Sequence, residues 1–197
     1  LNHRVRNILA LIRGLLSQTR SSAVSVEDFI GTLESRIHAL ARAHDQITAD
    51  RWSPARLYDL IEVEAGVYLG ERRDRVRLSG PNVLLTPGCF TVMALVIHEM
   101  LTNAAKYGAL SDNGTVTIDW RVDQDGSLLI DWRESGGPAV VAPTRRGFGS
   151  TVIERSIPYD LDGRAEIHYR LAGLEAHFCI PSTHVVSVLP DVVGTDR

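Results

Sequence analysis

Residues 97–108 read Ile-His-Glu-Met-Leu-Thr-Asn-Ala-Ala-Lys-Tyr-Gly, and the closing glycine is a common helix terminator. In the helix that this stretch predicts, Glu99, Asn103 and Lys106 fall within about 60° of one another. A carboxylate and an amide oxygen suit Mg²⁺, which prefers oxygen ligands, and an ammonium suits phosphate. The three groups in line can therefore hold a cation and a phosphate chain together. The alternative is a solvated helix face with an ordinary charge pair. A zinc-protease motif is excluded, because its second histidine would stand at Thr102.

Two glycine-rich segments lie downstream. Gly136-Gly137 follows a strand pattern that ends near Glu134, and Gly147-Phe148-Gly149 opens a predicted helix. Paired glycines let the backbone approach a ligand, and a helix N-terminus favours phosphate. Surface loops are often rich in glycine as well, so each segment alone is weak support for a nucleotide site. The pattern is not a P-loop, because no Gly-Lys-Ser/Thr sequence follows.

The first 20 residues follow a helical period with one apolar face. His3 lies about 180° from the centre of that face, so we expect it to face solvent. A neutral imidazole is a competent nucleophile near neutral pH, although an ordinary surface histidine has the same pattern. Among the other histidines, His38 is the rival acceptor.

A second helix is predicted to begin after Ser25, where Asp28 completes an acidic variant of the capping box. Two amphipathic helices joined by a short serine-rich turn predict an antiparallel hairpin, which needs a further surface to cover its apolar stripes. The predicted inner face of the second helix comprises Phe29, Ile30, Leu33, Ile37, Leu40, Ala41, His44 and Ile47.

The rest of the chain alternates between helix and strand patterns. Helices are predicted over 55–69 and from about Pro87 to Tyr107, and a short one closes at Pro158. Strands are predicted at 76–79, 115–122, 128–134, 164–171 and 174–180, and the tail after residue 181 has no amphipathic pattern. The predicted fold class is α+β: an antiparallel helical hairpin followed by an α/β sandwich with a mixed, mostly antiparallel sheet.

Composition excludes several classes of protein. The 197 residues carry 21 Lys and Arg against 24 Asp and Glu, and the charges are interspersed, which argues against a nucleic-acid partner. No apolar run approaches the roughly 20 residues of a membrane span, and no signal peptide is recognisable. We therefore predict a cytoplasmic location. The chain starts in helical sequence without Met, which suggests a fragment of a longer protein.

In this order the segments resemble the HWE family of two-component histidine kinases. Residues 1–7 resemble its phosphoacceptor box, and 98–111 resemble its N box. Residues 132–138 resemble its Trp-x-Glu signature with the following glycines, and 147–149 resemble its second glycine box. The resemblance implies a dimerisation and phosphotransfer hairpin at 1–50, a Bergerat-type ATP-binding domain at 55–183 and a C-terminal tail at 184–197.

The resemblance also implies roles for individual residues. His3 would accept the γ-phosphoryl group, Asn103 would bind Mg²⁺, and Glu99 would lie beside the metal and phosphates as a candidate base. Glu134 would stand where most histidine kinases place the carboxylate that reads adenine. Gly136, Gly147 and Gly149 would shape the pocket and its lid. Contact of Lys106 with phosphate is inferred from helix geometry and not from the resemblance. His98 and Trp132 are expected to be structural supports.

The expected activity is autophosphorylation of His3 from Mg-ATP, followed by transfer to an Asp of a response regulator. The expected partners are that regulator and a second copy of the chain, with a sensor upstream. Arg4 follows His3 where common histidine kinases have an acidic residue, so the base is unassigned. One alternative is a histidine phosphotransfer adaptor with a vestigial ATP domain. Another is a Bergerat-fold ATPase or binding module outside signalling.

Overall fold

The computed structural model describes residues 12–17, 19–20, 23–49, 53–140 and 148–189. Residues 12–17 and 19–20 are helical. The helices that follow are α1 (Val26–Ala49), α2 (Leu57–Leu69), α3 (Pro87–Lys106) and α4 (Phe148–Leu161). The strands are β1 (Ala55–Arg56), β2 (Val76–Ser79), β3 (Asn82–Leu85), β4 (Thr115–Val122), β5 (Leu128–Ser135), β6 (Arg164–Arg170), β7 (Gly173–Ile180) and β8 (Val185–Leu189).

A five-stranded sheet in the order β2-β4-β5-β7-β6 forms one layer. The β2–β4 pair is parallel and the other pairs are antiparallel, which confirms the predicted mixed, mostly antiparallel sheet. Alternating side chains of β4 and β5 are buried on one face, including Ile118, Trp120, Ile130 and Trp132. The helices cover this apolar face, because a sheet that is apolar on one side must bury that side against another layer.

Helix α3 is the centre of the helical layer. It begins at Pro87, and the hydroxyl of Thr86 caps it by accepting a hydrogen bond from the Cys89 N–H at 3.4 Å. The helix is long and apolar enough to cross a membrane by length and composition. However, 67% of its most apolar stretch is buried between the sheet and the other helices, as in a core helix. This placement fixes the positions of the polar residues in its last two turns.

A second sheet has three strands, in the order β1-β3-β8. Strand β8 pairs antiparallel with β3, so residues 185–189 of the segment predicted as a C-terminal tail are extended and belong to this sheet. Val186 and Val188 are 49% and 45% exposed, whereas Val185 packs against the core. Because β8 is only five residues long and four of them are Val or Leu, no alternating pattern in the sequence marks it.

Two predictions about helices are also corrected. Pro158 does not close α4, which continues to Leu161. Proline in a helix removes one backbone hydrogen bond, and burial of Ile157 and Leu161 offsets that loss. In α1, part of the predicted inner face is exposed, with Ile30 at 47% and Ile37 at 40%. Ile47 of that face is buried as predicted, and Leu33 and Leu40 are partly buried against the core; the other buried residues of α1 are Arg36, Ala39 and Ala43.

Candidate functional site

The three polar candidates of α3 differ in exposure along the helix. Glu99 is only 5% exposed, Asn103 is half-buried and Lys106 is exposed. The predicted line of carboxylate, amide and ammonium therefore runs from the core to solvent at the C-terminal end of the helix. His3 and Gly147 lie outside the described residues, and Gly149 lies in the first turn of α4.

Glu99 is held by a residue of α1. The Arg36 guanidinium donates from Nε to Oε1 at 2.6 Å and from Nη2 to Oε2 at 3.1 Å, and both side chains are buried. Nη1 of Arg36 donates to the Thr19 hydroxyl at 2.7 Å, which in turn donates to the carbonyl of Leu15 at 2.6 Å. Both carboxylate oxygens of Glu99 thus point at α1. The sequence offered no sign of this pair, because Arg36 lies outside the apolar stripe.

His98, one turn before Thr102, joins α1, α2 and α3 through a buried polar network. Its Nδ1 lies 3.2 Å from a carboxylate oxygen of Glu64, and its Nε2 lies 3.1 Å from the Ser35 hydroxyl. Arg42 of α1 donates two hydrogen bonds of 2.8 Å to the same Glu64 carboxylate. Burial would raise the pKa of Glu64, but hydrogen bonds from His98 and Arg42 outweigh it and hold the pKa below its ordinary value. These contacts are those of a structural support.

Glu134 lies at the end of β5 beside the C-terminus of α3. Its side chain is buried, its Oε2 accepts from the Ala109 N–H at 2.8 Å, and its Oε1 accepts from the Trp132 indole N–H at 3.3 Å. Burial raises the pKa of this carboxyl, although the two hydrogen bonds oppose the rise. The fully buried Trp132 therefore orients Glu134.

Glycines allow the backbone to close around Glu134. A Cβ at Gly108 would collide with Oε2 of Glu134, and a Cβ at Gly137 would collide with Ala109. Gly136, predicted from sequence as part of the pocket, has a φ of 71°, which favours glycine. The result is a narrow cradle of backbone around one buried carboxylate.

Arg75 is a residue of this region that the sequence did not reveal. Its guanidinium donates to the carbonyls of Gly114 at 2.6 Å and Ala109 at 3.0 Å, and also to that of Asp112. These bonds fix the loop whose Ala109 N–H reaches Glu134. A lone arginine before a short strand carries no recognisable signal, so only the fold could identify it.

Comparison with known families supports the likeness suggested by the motifs. The model of the HWE histidine kinase family matches residues 1–82. A blue-light-activated histidine kinase of Brucella anthropi is 31% identical over 187 residues, which are 93% of this chain and 38% of that protein. The corresponding protein of Brucella ovis is 28% identical over 185 residues. The chain thus spans about two fifths of the length of these relatives.

Solved structures share the fold. The histidine kinase domain of the Erythrobacter litoralis EL346 blue-light activated histidine kinase superposes with a TM-score of 0.63 at 17% identity. That match covers 89% of this chain and 84% of the solved one. A longer structure of the same Erythrobacter protein gives a TM-score of 0.72 at 15% identity, over 92% of this chain and 59% of that one. The motifs, the relatives and the fold agree: residues 1–82 match the HWE histidine kinase family, and the chain is similar to histidine kinases over nearly its whole length.

Proposed function

We propose that this protein is an ATP-dependent histidine kinase that phosphorylates His3 from Mg-ATP and passes the group to an Asp of a response regulator. The match to the HWE family and the similarity to histidine kinases support a kinase. The observation that carries the proposal for ATP is the buried carboxylate of Glu134 inside a cradle that only glycines permit.

Glu134 would recognise the adenine ring. A buried carboxylate accepts hydrogen bonds and therefore suits the exocyclic amine of adenine. Gly108 lets the backbone lie directly against the Glu134 carboxylate, and Gly137 lets it lie against Ala109. Trp132 and Ala109 already donate to the carboxylate, so its direction is fixed before a ligand arrives. Gly136 would let the chain turn away from the pocket.

The phosphates would lie at the exposed end of α3. Asn103 offers an amide oxygen to Mg²⁺, Lys106 an ammonium to phosphate, and the first turn of α4 at Gly149 free N–H groups. The bound Mg²⁺ would supply neutralisation of the charge that develops on the phosphoryl oxygens. Phosphoryl transfer has a loose transition state, so positioning by these residues is most of the catalysis.

In the transfer step, a neutral imidazole nitrogen of His3 attacks the γ-phosphorus. A nitrogen–phosphorus bond forms, the bond from phosphorus to the bridging oxygen breaks, and ADP leaves with the electron pair. The imidazole proton passes to a base, for which Glu99 is the candidate. His3 belongs to the proposed hairpin of residues 1–50, so the hairpin and the proposed catalytic domain must approach each other.

The proposed partners follow from the same assignment. The exposed side chains of Ile30 and Ile37 on α1 support a homodimer through the hairpin, because an uncovered apolar stripe favours association. The response regulator, an upstream sensor and the cytoplasmic location are proposals, since the chain spans only 38% of the length of its Brucella anthropi relative.

The first test is labelling with radioactive ATP and Mg²⁺. The wild-type protein should acquire an acid-labile, alkali-stable phosphate, and His3→Gln should abolish it. His38→Gln is the matched control and should label normally. Equal labelling of His3→Gln and wild type would contradict the assignment of the acceptor.

The second test is binding of a fluorescent ATP analogue to Glu134→Gln. The amide presents an N–H₂ group in place of one acceptor, and a mispaired buried polar group costs about 1–3 kcal/mol, so we expect at least about tenfold weaker binding. Asp131→Asn changes a carboxylate on the same strand outside the pocket and should bind normally. A wild-type protein that binds no nucleotide would favour the phosphotransfer adaptor instead.

Acid should weaken binding of the same analogue. Burial raises the pKa of Glu134, so this carboxyl takes up a proton at a higher pH than an ordinary Glu and loses an acceptor site. Affinity should therefore decline as the pH falls toward the raised pKa, and Glu134→Gln should show less of this decline. Identical pH profiles for the two proteins would contradict the role of Glu134.

A further inference from the structure

Charged groups make one of the contacts between α1 and α3. Arg36 and Glu99 form a two-point ion pair whose side chains are 4% and 6% exposed. A bidentate arginine–carboxylate pair fixes both partners in one geometry. Glu99 is therefore turned toward α1 in this arrangement, and Arg36 contacts both of its oxygens.

Glu99 and Asn103 are four residues apart on α3 and share one side of the helix. A Mg-nucleotide held by Asn103 would lie within a turn of the Arg36 guanidinium. If Glu99 assists the metal or the transferring group, its carboxylate must face the nucleotide, and it cannot do so while Arg36 holds both oxygens. The two states of Glu99 exclude each other.

We propose that Arg36 is a positioning residue that competes with Mg-nucleotide for the Glu99 carboxylate, so that nucleotide binding and docking of α1 oppose one another. This inference rests on the proposed function, in which the nucleotide occupies the site at Asn103. The coupling is reciprocal: nucleotide loosens the docked helix, and a hairpin displaced by an input signal frees Glu99 for catalysis.

Other contacts keep α1 docked, so the competition involves the Arg36–Glu99 pair alone. Arg42 pairs with Glu64, and Ser35 contacts His98, so α1 stays attached to α2 and α3 when Arg36 alone is lost. None of these contacts involves Glu99. Arg42 therefore provides a matched control: it is also an arginine of α1 in a two-point pair, but its carboxylate partner lies on α2.

The experiment measures binding of Mg²⁺ with a non-hydrolysable ATP analogue to the full chain. Arg36→Gln should bind about fivefold tighter or more, the lower range of typical coupling between sites. Arg42→Gln should change affinity less than about twofold, as should Arg36→Gln with the analogue in EDTA. Arg36→Lys keeps the positive charge and one contact with Glu99, so its affinity for the analogue should lie between those of wild type and Arg36→Gln.

Weaker binding by Arg36→Gln would overturn the proposal, because Arg36 would then contact the nucleotide itself. Equal tightening by Arg36→Gln and Arg42→Gln would also overturn it, since docking in general would control the site. A wild-type protein that binds no Mg-nucleotide rejects the proposed function as well, whereas binding without an effect of Arg36→Gln rejects this inference alone.

Hydrogen exchange on the wild-type protein gives a second measurement, needed because removal of Arg36 leaves Glu99 buried without its cation. Adding Mg²⁺ with the ATP analogue should accelerate hydrogen exchange of the backbone amides in α1 and slow it in the loop after α3. Unchanged or slower exchange in α1 in the presence of bound analogue would overturn the competition.

Discussion

At Gly108 the chain leaves α3 and runs directly against the Glu134 carboxylate. The residue does not need glycine for its backbone angle, since its φ of −105° is open to any residue. It needs glycine for space, because any Cβ would meet Oε2 of Glu134. A residue known from sequence only as a helix terminator is thus also a wall of the candidate pocket.

Gly108→Ala should displace the Glu134 carboxylate and lower both stability and nucleotide affinity. Overpacking of a well-filled site costs about 1–3 kcal/mol, so we expect a visibly lower Tm and about tenfold weaker binding of an ATP analogue. Thermal unfolding and an analogue titration measure the two effects.

Gly88→Ala is the control at the opposite end of the same helix. A Cβ there has no neighbour within 4 Å, so stability should be unchanged or slightly higher. The explanation fails if Gly108→Ala binds nucleotide as tightly as wild type.

Single residues also mark the limit of sequence reasoning. Glu99, Asn103 and Glu134 could be proposed as site residues from sequence, because they stand in motifs with known spacing. Arg36 and Arg75 were not, because each acts on a partner at least 34 residues away in the chain, and neither spacing nor periodicity encodes that partner. The raised pKa of Glu134 likewise follows from burial, which only the fold creates.

At the scale of elements, α1 shows how a polar network can override an apolar pattern. Its most regular apolar residues include Ile30 and Ile37, which stay exposed, while Arg36 is buried. A buried ion pair is costly to break from one side, because the remaining charge has no partner. The polar contacts therefore select which face of α1 meets α2 and α3.

Acid should weaken this docking through Glu64. Its folded pKa is held below the ordinary value of 4.5, so its stabilising contribution is present above that pH and is lost as the pH falls through the folded pKa. The urea midpoint of wild type should therefore drop more steeply below about pH 4.5 than that of Glu64→Gln.

Glu62→Gln supplies the comparison on the same helix. Glu62 pairs with Arg73 at 2.9 Å, but its side chain is 36% exposed. This variant should follow the wild-type pH profile, since exposed pairs contribute little. Parallel profiles for wild type and Glu64→Gln would contradict the role of the buried network.

Elements with side-chain periodicity in the sequence were predictable, and short strands without it were not. Strand β4 was predicted at its observed bounds from alternation, and β5 to within one residue. Strands β1, β3 and β8 were missed, because they are two to five residues long and depend on one another for backbone hydrogen bonds. These three strands therefore form only when the sheet assembles.

The whole molecule is organised around one core that joins the sheet to the helices. Cys89 lies inside it, fully buried in the first turn of α3. Burial raises the pKa of its thiol to about 12, so almost no thiolate forms near neutral pH.

Cys89 should therefore report global unfolding. In Cys179→Ser, alkylation of the remaining thiol should be negligible in the native state and should rise with urea along the unfolding curve measured by circular dichroism. Mass spectrometry of the labelled peptide gives the extent of reaction. Native-state alkylation at the rate of a free thiol would contradict a closed core at this position.

Strand β1 has a mechanical consequence. The covalent path from α1 into the sheets passes through its two residues, which pair only with Leu84 and Leu85. Two paired residues resist separation weakly, so a pull on α1 would break this pairing before it strained the five-stranded sheet. A displacement of α1 would then reach the sheets through its side-chain contacts, among them those of Arg36 and Arg42, and only weakly through the backbone.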